Sequence, residues 1–140
     1  MAIQLSVAAR NGRLDAIETA AGTAAVLKIR TGAPPATCAT ADSGTVLATA
    51  TLPTDWMNAA SSGTKTLLGS WADASADAAG TAAHFRLYAS DGVTCHIQGT
   101  VTATGGGGDM TVDNAVFAAG QVFNRVVSPV VTQVVTINQQ

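Results

Sequence analysis

Charged and aromatic side chains are scarce in this chain of 140 residues, at 11% and 4% of the sequence. Its formal charge of -2 gives no excess of Lys and Arg for the phosphates of DNA or RNA, whose binding normally needs clustered cations. We therefore expect no nucleic-acid partner. A monomer usually stays in solution behind a mixed charged exterior. So few charges favour burial of the surface in an assembly, and hence a homo-oligomer.

Long apolar runs are also missing, and no window approaches the length of a membrane-spanning helix. Near the N-terminus, Arg10, Arg13, Asp15 and Glu18 interrupt any apolar core of a secretion signal. The sequence therefore predicts no membrane partner.

Cysteine is limited to Cys38 and Cys95, which lie far apart and do not form a metal-binding or redox motif. We interpret them as two buried free thiols, since free cysteine behaves as a small apolar residue. A disulfide between them would require the fold to bring them together.

A helix is predicted over residues 3–21, with Gly22 as its stop. Apolar residues recur on one face three, four or seven positions apart, namely Ile3, Val7, Leu14, Ile17 and Ala21. The stripe is narrow and follows a period of 3.5 residues, as in helices that pack on a copy of themselves or along another protein. We therefore predict that residues 1–22 form an assembly contact, with Ile3, Val7, Leu14 and Ile17 as its anchors.

Alternating apolar and polar residues predict a series of strands after the helix. They lie at 25–31, 44–52, 66–71, 83–89, 93–104, 110–112 and 116–117, with a short helical turn at 57–60. Asp91-Gly92 predicts a hairpin, and the run Gly105 to Gly108 predicts a second one because glycine accepts positive φ. The expected fold is mainly β, an antiparallel β-sandwich-like domain over residues 23–124 with an N-terminal α-helix.

The C-terminal residues 125–140 repeat a valine-rich tetrad and predict an extended arm. Left unpaired, such a segment is an aggregation hazard. It would pair with a neighbouring subunit or close the sheet of its own domain, and we favour the neighbour. The valines assigned to this interface are Val126, Val127, Val130, Val131, Val134 and Val135. Deleting residues 125–140 should then leave a folded domain that assembles poorly.

Six polar residues are candidates for metal binding or acid-base chemistry: His84, His96, Asp73, Asp77, Asp109 and Asp113. Their spacing does not favour a metal site, and two cross-strand histidines reach one ion only when both face the same side. Calcium at Asp109 and Asp113 is a weaker alternative without an EF-hand loop. The serines and cysteines lack the surroundings of a catalytic nucleophile. We expect no enzyme activity, no catalytic residue, no cofactor and no metal.

Trp56 and Trp71 have two possible roles, in the core of a small β-domain or as platforms that stack on sugar rings. The core role is the more usual one for scarce tryptophans.

Seven segments of the chain resemble a family of short structural proteins of tailed bacteriophages and prophages. They are MAIQLSVAARN (1–11), LDAIE (14–18), LKIRTG (27–32), LPTDWM (52–57), DASAD (73–77), AHFR (83–86) and GTVTATGGGGDM (99–110). The resemblance covers residues 1–123 and fades after Asn124, where relatives tend to end in a short Thr-rich strand.

This resemblance implies a virion component that assembles in the cytoplasm of the host bacterium. We expect a capsid decoration or a neck or collar subunit, whose partners are copies of itself and other phage structural proteins. The alternative is a receptor- or glycan-binding module of a tail fibre, with Trp56, Trp71 or Tyr88 as the stacking platform.

Overall fold

One helix precedes nine short strands in the residues that the computed structural model describes, which are 3–123 and 131–132. The elements are α1 (Val7–Ala21), β1 (Val26–Arg30), β2 (Val46–Thr51), β3 (Thr64–Lys65), β4 (Gly80–Thr81), β5 (His84–Tyr88), β6 (Cys95–Ala103), β7 (Met110–Val112), β8 (Val116–Phe117) and β9 (Val131–Thr132). The mainly β class with an N-terminal helix is confirmed.

Five strands form one sheet in the order β2-β1-β5-β6-β7. Neighbours run antiparallel except β6 and β7, which are parallel, so the sheet is mixed and not antiparallel throughout. The remaining strands form two short pairs, β3 with β9 and β4 with β8. Within the described residues the strands therefore do not clearly form the expected sandwich.

Side chains along β1 and β5 alternate between two faces of this sheet, because successive residues of a strand point to opposite sides. The apolar face carries Leu27, Ile29, Phe85 and Leu87, all buried in the main hydrophobic cluster. The charged face carries Arg30, His84, Arg86 and Tyr88, which are also buried.

Both tryptophans belong to the hydrophobic cluster over the apolar face. Trp56 is 0% exposed and Trp71 is 5% exposed, and their ring centroids are 5.8 Å apart. Each indole nitrogen donates a hydrogen bond, Trp56 to the carbonyl of Gly22 and Trp71 to the carbonyl of Trp56. The core role predicted for them is confirmed.

The glycine run does not form the predicted hairpin. The chain leaves β6 after Ala103 and returns to the level of Thr100 at Asp109, and β7 then runs parallel to β6 with Val101 opposite Met110. So short a return between parallel strands is unusual, because such strands normally need a long crossover. Gly105 and Gly107 have φ of 88° and 81°, and a Cβ on Gly106 or Gly108 would collide with Thr102. The glycines therefore allow a tight loop that packs against β6.

The residues after Trp56 also differ from the prediction. The short helical turn at 57–60 is absent, and Met57 instead forms an antiparallel bridge with Leu67. The regular strand here is β3, at 64–65, and not the predicted 66–71. The Asp91-Gly92 hairpin is confirmed, since it joins β5 to β6 in an antiparallel pair.

Helix α1 is shorter than predicted and starts at Val7, where the Ser6 hydroxyl accepts a hydrogen bond from the Ala9 amide. It ends at Gly22 as expected. Leu14 is buried within this chain and Ile17 is partly buried against its core, and their predicted contact with another subunit stays a prediction. Ile3 and Val7 are exposed, and their assembly role stays a prediction.

The C-terminal arm is described only at Val131–Thr132. These two residues pair with Thr64–Lys65 of the same chain, as in the alternative in which the arm closes the sheet of its own domain. The assembly role of Val131 stays a prediction. The other interface valines, Val126, Val127, Val130, Val134 and Val135, lie outside the described residues.

Candidate functional site

The charged face of the sheet is covered by residues 31–45, which join β1 to β2 and are called here the covering loop. Two side chains from the strands contact backbone carbonyls near the beginning of the covering loop. Nδ1 of the buried His84 is 2.7 Å from the carbonyl of Gly32, and Nε2 of Gln98 donates to the carbonyl of Pro35 at 2.6 Å. Because proline lacks an amide hydrogen, Pro34-Pro35 cannot join a strand ladder, and this leaves the loop free to cross the face.

Arg86 of β5 is the main anchor of the covering loop, and it is only 1% exposed. Its guanidinium donates to three loop carbonyls, those of Thr37 at 3.0 Å, Cys38 at 2.9 Å and Thr40 at 3.0 Å. It also forms an ion pair with the Asp42 carboxylate. One buried cation therefore fixes the path of the loop over several residues.

Asp42 of the covering loop accepts hydrogen bonds from three side chains of the charged face. Besides Arg86, it accepts from Arg30 at 2.7 Å and from the Tyr88 hydroxyl at 2.8 Å. Partial burial raises the pKa of Asp42, but the hydrogen bonds from Tyr88 and Arg86 and the charge of Arg30 outweigh it, so the pKa lies below its usual value. Burial and the bond to Asp42 raise the pKa of Tyr88 to about 12. Asp42 is therefore an anion and Tyr88 a neutral donor near pH 7.

The two cysteines meet where the covering loop crosses the start of β6. The Cys38 and Cys95 sulfurs are 3.1 Å apart, both thiols are free, and both residues are half-buried. The predicted free thiols are confirmed, but they are neither fully buried nor separate. Burial and the neighbouring Cys38 thiol raise the pKa of Cys95 to about 11. Sequence spacing gave no sign of this contact, because it depends on the path of the covering loop.

A second buried charge cluster lies under helix α1. Lys65 is 2% exposed, and its ammonium contacts Asp15 at 2.8 Å, Glu18 at 2.9 Å and the carbonyl of Asn58 at 2.9 Å. Hydrogen bonds to Lys65 lower the pKa of Asp15 below its usual value. Burial raises the pKa of Glu18, but the bonds from Lys65 and Met57 outweigh it and leave a net decrease. All three donors of the ammonium are therefore used within the chain.

The same helix face makes further bonds to the segment that follows Trp56. Asn11 accepts from the Gly63 amide, Asp15 from the Ala60 amide and Glu18 from the Met57 amide. Asn11, Asp15 and Glu18 thus form a polar stripe that holds the helix on the domain. The sequence analysis followed the apolar stripe and missed this feature, although the spacing of four and three residues places the three polar side chains on one helix face.

A cleft of about 680 Å³ opens beside this second cluster. Its walls include Asp15, Glu18, Thr54, Asp55, Met57 and Lys65. Asp15, Glu18 and Lys65 in this wall already pair with one another and hold the helix in place.

The six predicted polar candidates do not converge. His84 is opposite Thr100 in the sheet, so it is not paired across the hairpin with His96. Asp109 accepts from the amide and hydroxyl of Thr100, as expected for a carboxylate that caps backbone amides. In the part of the chain that the structure describes, no group of three or more His, Cys, Asp or Glu residues could hold a metal ion.

Asp73 and Asp77 have a different role, at the outer edge of β2. The Asp73 carboxylate accepts from the Thr49 amide at 2.9 Å, and the Asp77 amide donates to the Leu47 carbonyl at 2.8 Å. These contacts cover an edge that would otherwise present unpaired backbone groups.

The stacking platform proposed for glycan binding is not formed, because Trp56, Trp71 and Tyr88 are all buried. The described residues contain no helix that is long and apolar enough to cross a membrane. Comparison of the chain with protein-family models, with curated proteins and with solved structures gives no match. The geometry is thus that of a protein whose buried charges bind its own backbone.

Proposed function

We propose that this chain is a structural component of a tailed-phage virion. It would act as a capsid decoration or a neck or collar subunit, through symmetric contacts with copies of itself and with other phage structural proteins. The resemblance of residues 1–123 to phage structural proteins supports a role in the virion. The mainly β fold and the low share of charged residues, 11%, are compatible with a subunit that buries its surface in an assembly.

The observation that carries the proposal is a pair of exposed apolar residues, one at the start of a firmly held helix and one just before it. Ile3 is 63% exposed and Val7 is 47% exposed, whereas Leu14, two turns further on, is buried. Apolar side chains that remain in water favour burial against a partner. The predicted assembly stripe thus divides into an inner half that packs on this domain and an outer half that is free to meet another copy.

The second buried charge cluster makes this outer half a defined surface. Asp15, Glu18 and Lys65 fix the orientation of α1, so the position of Val7 follows from the domain itself. A presented apolar surface that is already ordered loses less conformational entropy on association than a mobile one. This arrangement suits repeated contacts between identical subunits.

Antibody-labelled electron microscopy of intact phage particles that carry the protein tests the proposal. Label on the head or the neck is the expected result. Label confined to the fibre tips would overturn the decoration or collar role in favour of receptor binding, and particles without label would overturn a virion role altogether. Particles from a phage that lacks the gene provide the control for antibody specificity.

A further inference from the structure

We propose that Cys38 and Cys95 are a reversible redox modification site, at which an intrachain disulfide ties the covering loop to the start of β6. Their sulfurs are 3.1 Å apart, although the residues are 57 positions apart in the chain. Hydrogen bonds and ion pairs join the covering loop to the sheet in the reduced protein, and these two are the only cysteines of the sequence.

Both cysteine backbones are already held in place on the reduced protein. On the loop side, the Arg86 guanidinium bonds the carbonyls of Thr37, Cys38 and Thr40. On the sheet side, Cys95 is paired with Tyr88 in the β5–β6 ladder. Because neither residue needs to travel, little conformational entropy is lost when the bond closes, and the two thiols have a high effective concentration toward each other. Exchange should therefore favour the intrachain bond over a bond to a small thiol.

The reaction is a thiol–disulfide exchange with a small-molecule disulfide such as oxidised glutathione. One cysteine thiolate attacks a glutathione sulfur, which breaks the glutathione disulfide, forms a mixed disulfide and releases one glutathione thiol. The second cysteine then attacks the protein sulfur of the mixed disulfide and releases the other. Two electrons pass from the protein to the oxidant, and the two protons of the cysteines end on the two glutathione molecules.

The reaction should be slow at neutral pH, because the attacking species is the thiolate. The pKa of Cys95 is raised to about 11, so its thiol is almost fully protonated at pH 7. A step that depends on the Cys95 thiolate should quicken by about tenfold for each pH unit below that value. The site thus stays reduced under brief exposure to oxidant and closes under prolonged exposure.

If the chain is a virion component, as proposed above, the two cysteines would be in different redox states during assembly and after release. Only this point rests on the proposed function. Bacterial cytoplasm keeps thiols reduced, whereas the medium outside a lysed cell is oxidising. Subunits would assemble as dithiols, and the covering loop would be locked only on released particles.

The test incubates the full purified chain for a prolonged period in buffers that range from reduced to oxidised glutathione, at about pH 9, where more of the Cys95 thiolate is present than at neutral pH. Samples are quenched in acid, alkylated and mapped by mass spectrometry under non-reducing conditions. The expected product has lost two hydrogens, with Cys38 and Cys95 linked in one chain. Its melting temperature should exceed that of the dithiol by a shift on the order of 10 °C, because the bond closes a long loop.

Three results would overturn the proposal: glutathione adducts on both cysteines, thiols that remain open to alkylation at every ratio, or disulfides between chains. Cys38→Ser and Cys95→Ser are matched controls, and each should take up one glutathione without the rise in melting temperature. The wild-type measurement needs no substitution, so a poorly folded variant cannot hide the answer. Since it uses isolated protein, failure here is distinct from a failure to find the protein on particles.

Discussion

Along the central strand β5, both faces of the five-stranded sheet are buried, but by different means. On the apolar face, Leu27 and Leu87 enter a continuous hydrophobic cluster. On the charged face, Arg86 and His84 are as inaccessible as those leucines, at 1% and 0% exposed, but they lie beneath the covering loop. The first face is held by contacts that any apolar side chain of suitable volume could make. The second is held by hydrogen bonds that need particular donors at particular positions.

This difference assigns different tasks to the two faces. Burial of apolar surface is non-directional and supplies most of the stability of a fold. A buried cation adds little net stability, because its desolvation cost offsets its attraction to a carboxylate. It does specify geometry, since the carbonyls of Thr37, Cys38 and Thr40 must all point at one guanidinium. The apolar face thus stabilises the domain, and the charged face defines the path of the covering loop.

The largest effect is expected from Arg86→Met. The substitution keeps the apolar stem but leaves three loop carbonyls without their donor and removes one of the three donors of Asp42, so the free energy of unfolding should fall by about 3–5 kcal/mol. Urea unfolding followed by tryptophan fluorescence measures the change. Arg13→Met is a matched control on α1, outside both charge clusters, and should change stability by no more than about 0.5 kcal/mol. Equal losses in the two variants would contradict the role given to Arg86.

A somewhat smaller loss is expected on the apolar face. Leu87→Ala leaves a cavity in the core and should lower the free energy of unfolding by about 3 kcal/mol. The loss should be nearly the same at about pH 7 and at a pH below the lowered pKa of Asp42, because no titrating group takes part at Leu87. Arg86→Met should differ here, with a smaller loss at the lower pH, where protonated Asp42 no longer attracts the guanidinium. Parallel pH dependence of the two losses would remove the distinction between the faces.

Acid should destabilise the protein mainly through its buried charge clusters. The pKa values of Asp42, Asp15 and Glu18 are lowered in the folded state. A lowered pKa means that the unfolded chain binds protons more tightly, so this stability is present above about pH 4.5 and is lost as the pH falls through the folded values. Urea unfolding from pH 7 downward measures the slope. Asp42→Asn should flatten it, and an unchanged slope would exclude Asp42 from the acid transition.

Much of the fold could be predicted from local alternation. β1, β2, β5 and β6 are found near their predicted positions, because one apolar face forces a period of two. The same pattern did not reveal the burial of Arg86, because nothing local shows that a loop will cover it. The prediction of a hairpin at Gly105 to Gly108 was wrong for a related reason. Glycines permit several ways to reverse a chain, and packing against Thr102 selected a parallel return.

The apolar stripe of helix α1 predicted only part of how the helix contacts the domain. Ile3, Val7, Leu14 and Ile17 form one apolar series, but only its C-terminal half faces the domain. The remaining contact is made by the polar stripe of Asn11, Asp15 and Glu18, whose partners lie about 40 to 50 positions away along the chain. The spacing of the polar stripe is visible in the sequence, but it does not show which distant groups are its partners. For the same reason, the contact between Cys38 and Cys95 could not be predicted from the sequence and was found only in the tertiary structure.

The smallest effect on folding is expected at the exposed end of the helix. Ile3→Ser with Val7→Ser removes no buried contact of the chain, so the free energy of unfolding should change by no more than about 0.5 kcal/mol. Association should nevertheless weaken, because these side chains are proposed to meet another copy. Val93→Ser is a matched control, since Val93 is 76% exposed on the Asp91-Gly92 turn and has no proposed role in assembly.

Sedimentation velocity of the full chain over a range of concentrations tests the central claim, that buried charges hold the chain to itself while exposed apolar residues hold it to its copies. The wild type and Val93→Ser should sediment as a symmetric oligomer of the same size, and the Ile3→Ser, Val7→Ser variant should shift toward the monomer with an unchanged unfolding midpoint. A wild type that stays monomeric at every concentration, or a double variant that associates as the wild type does, would contradict it.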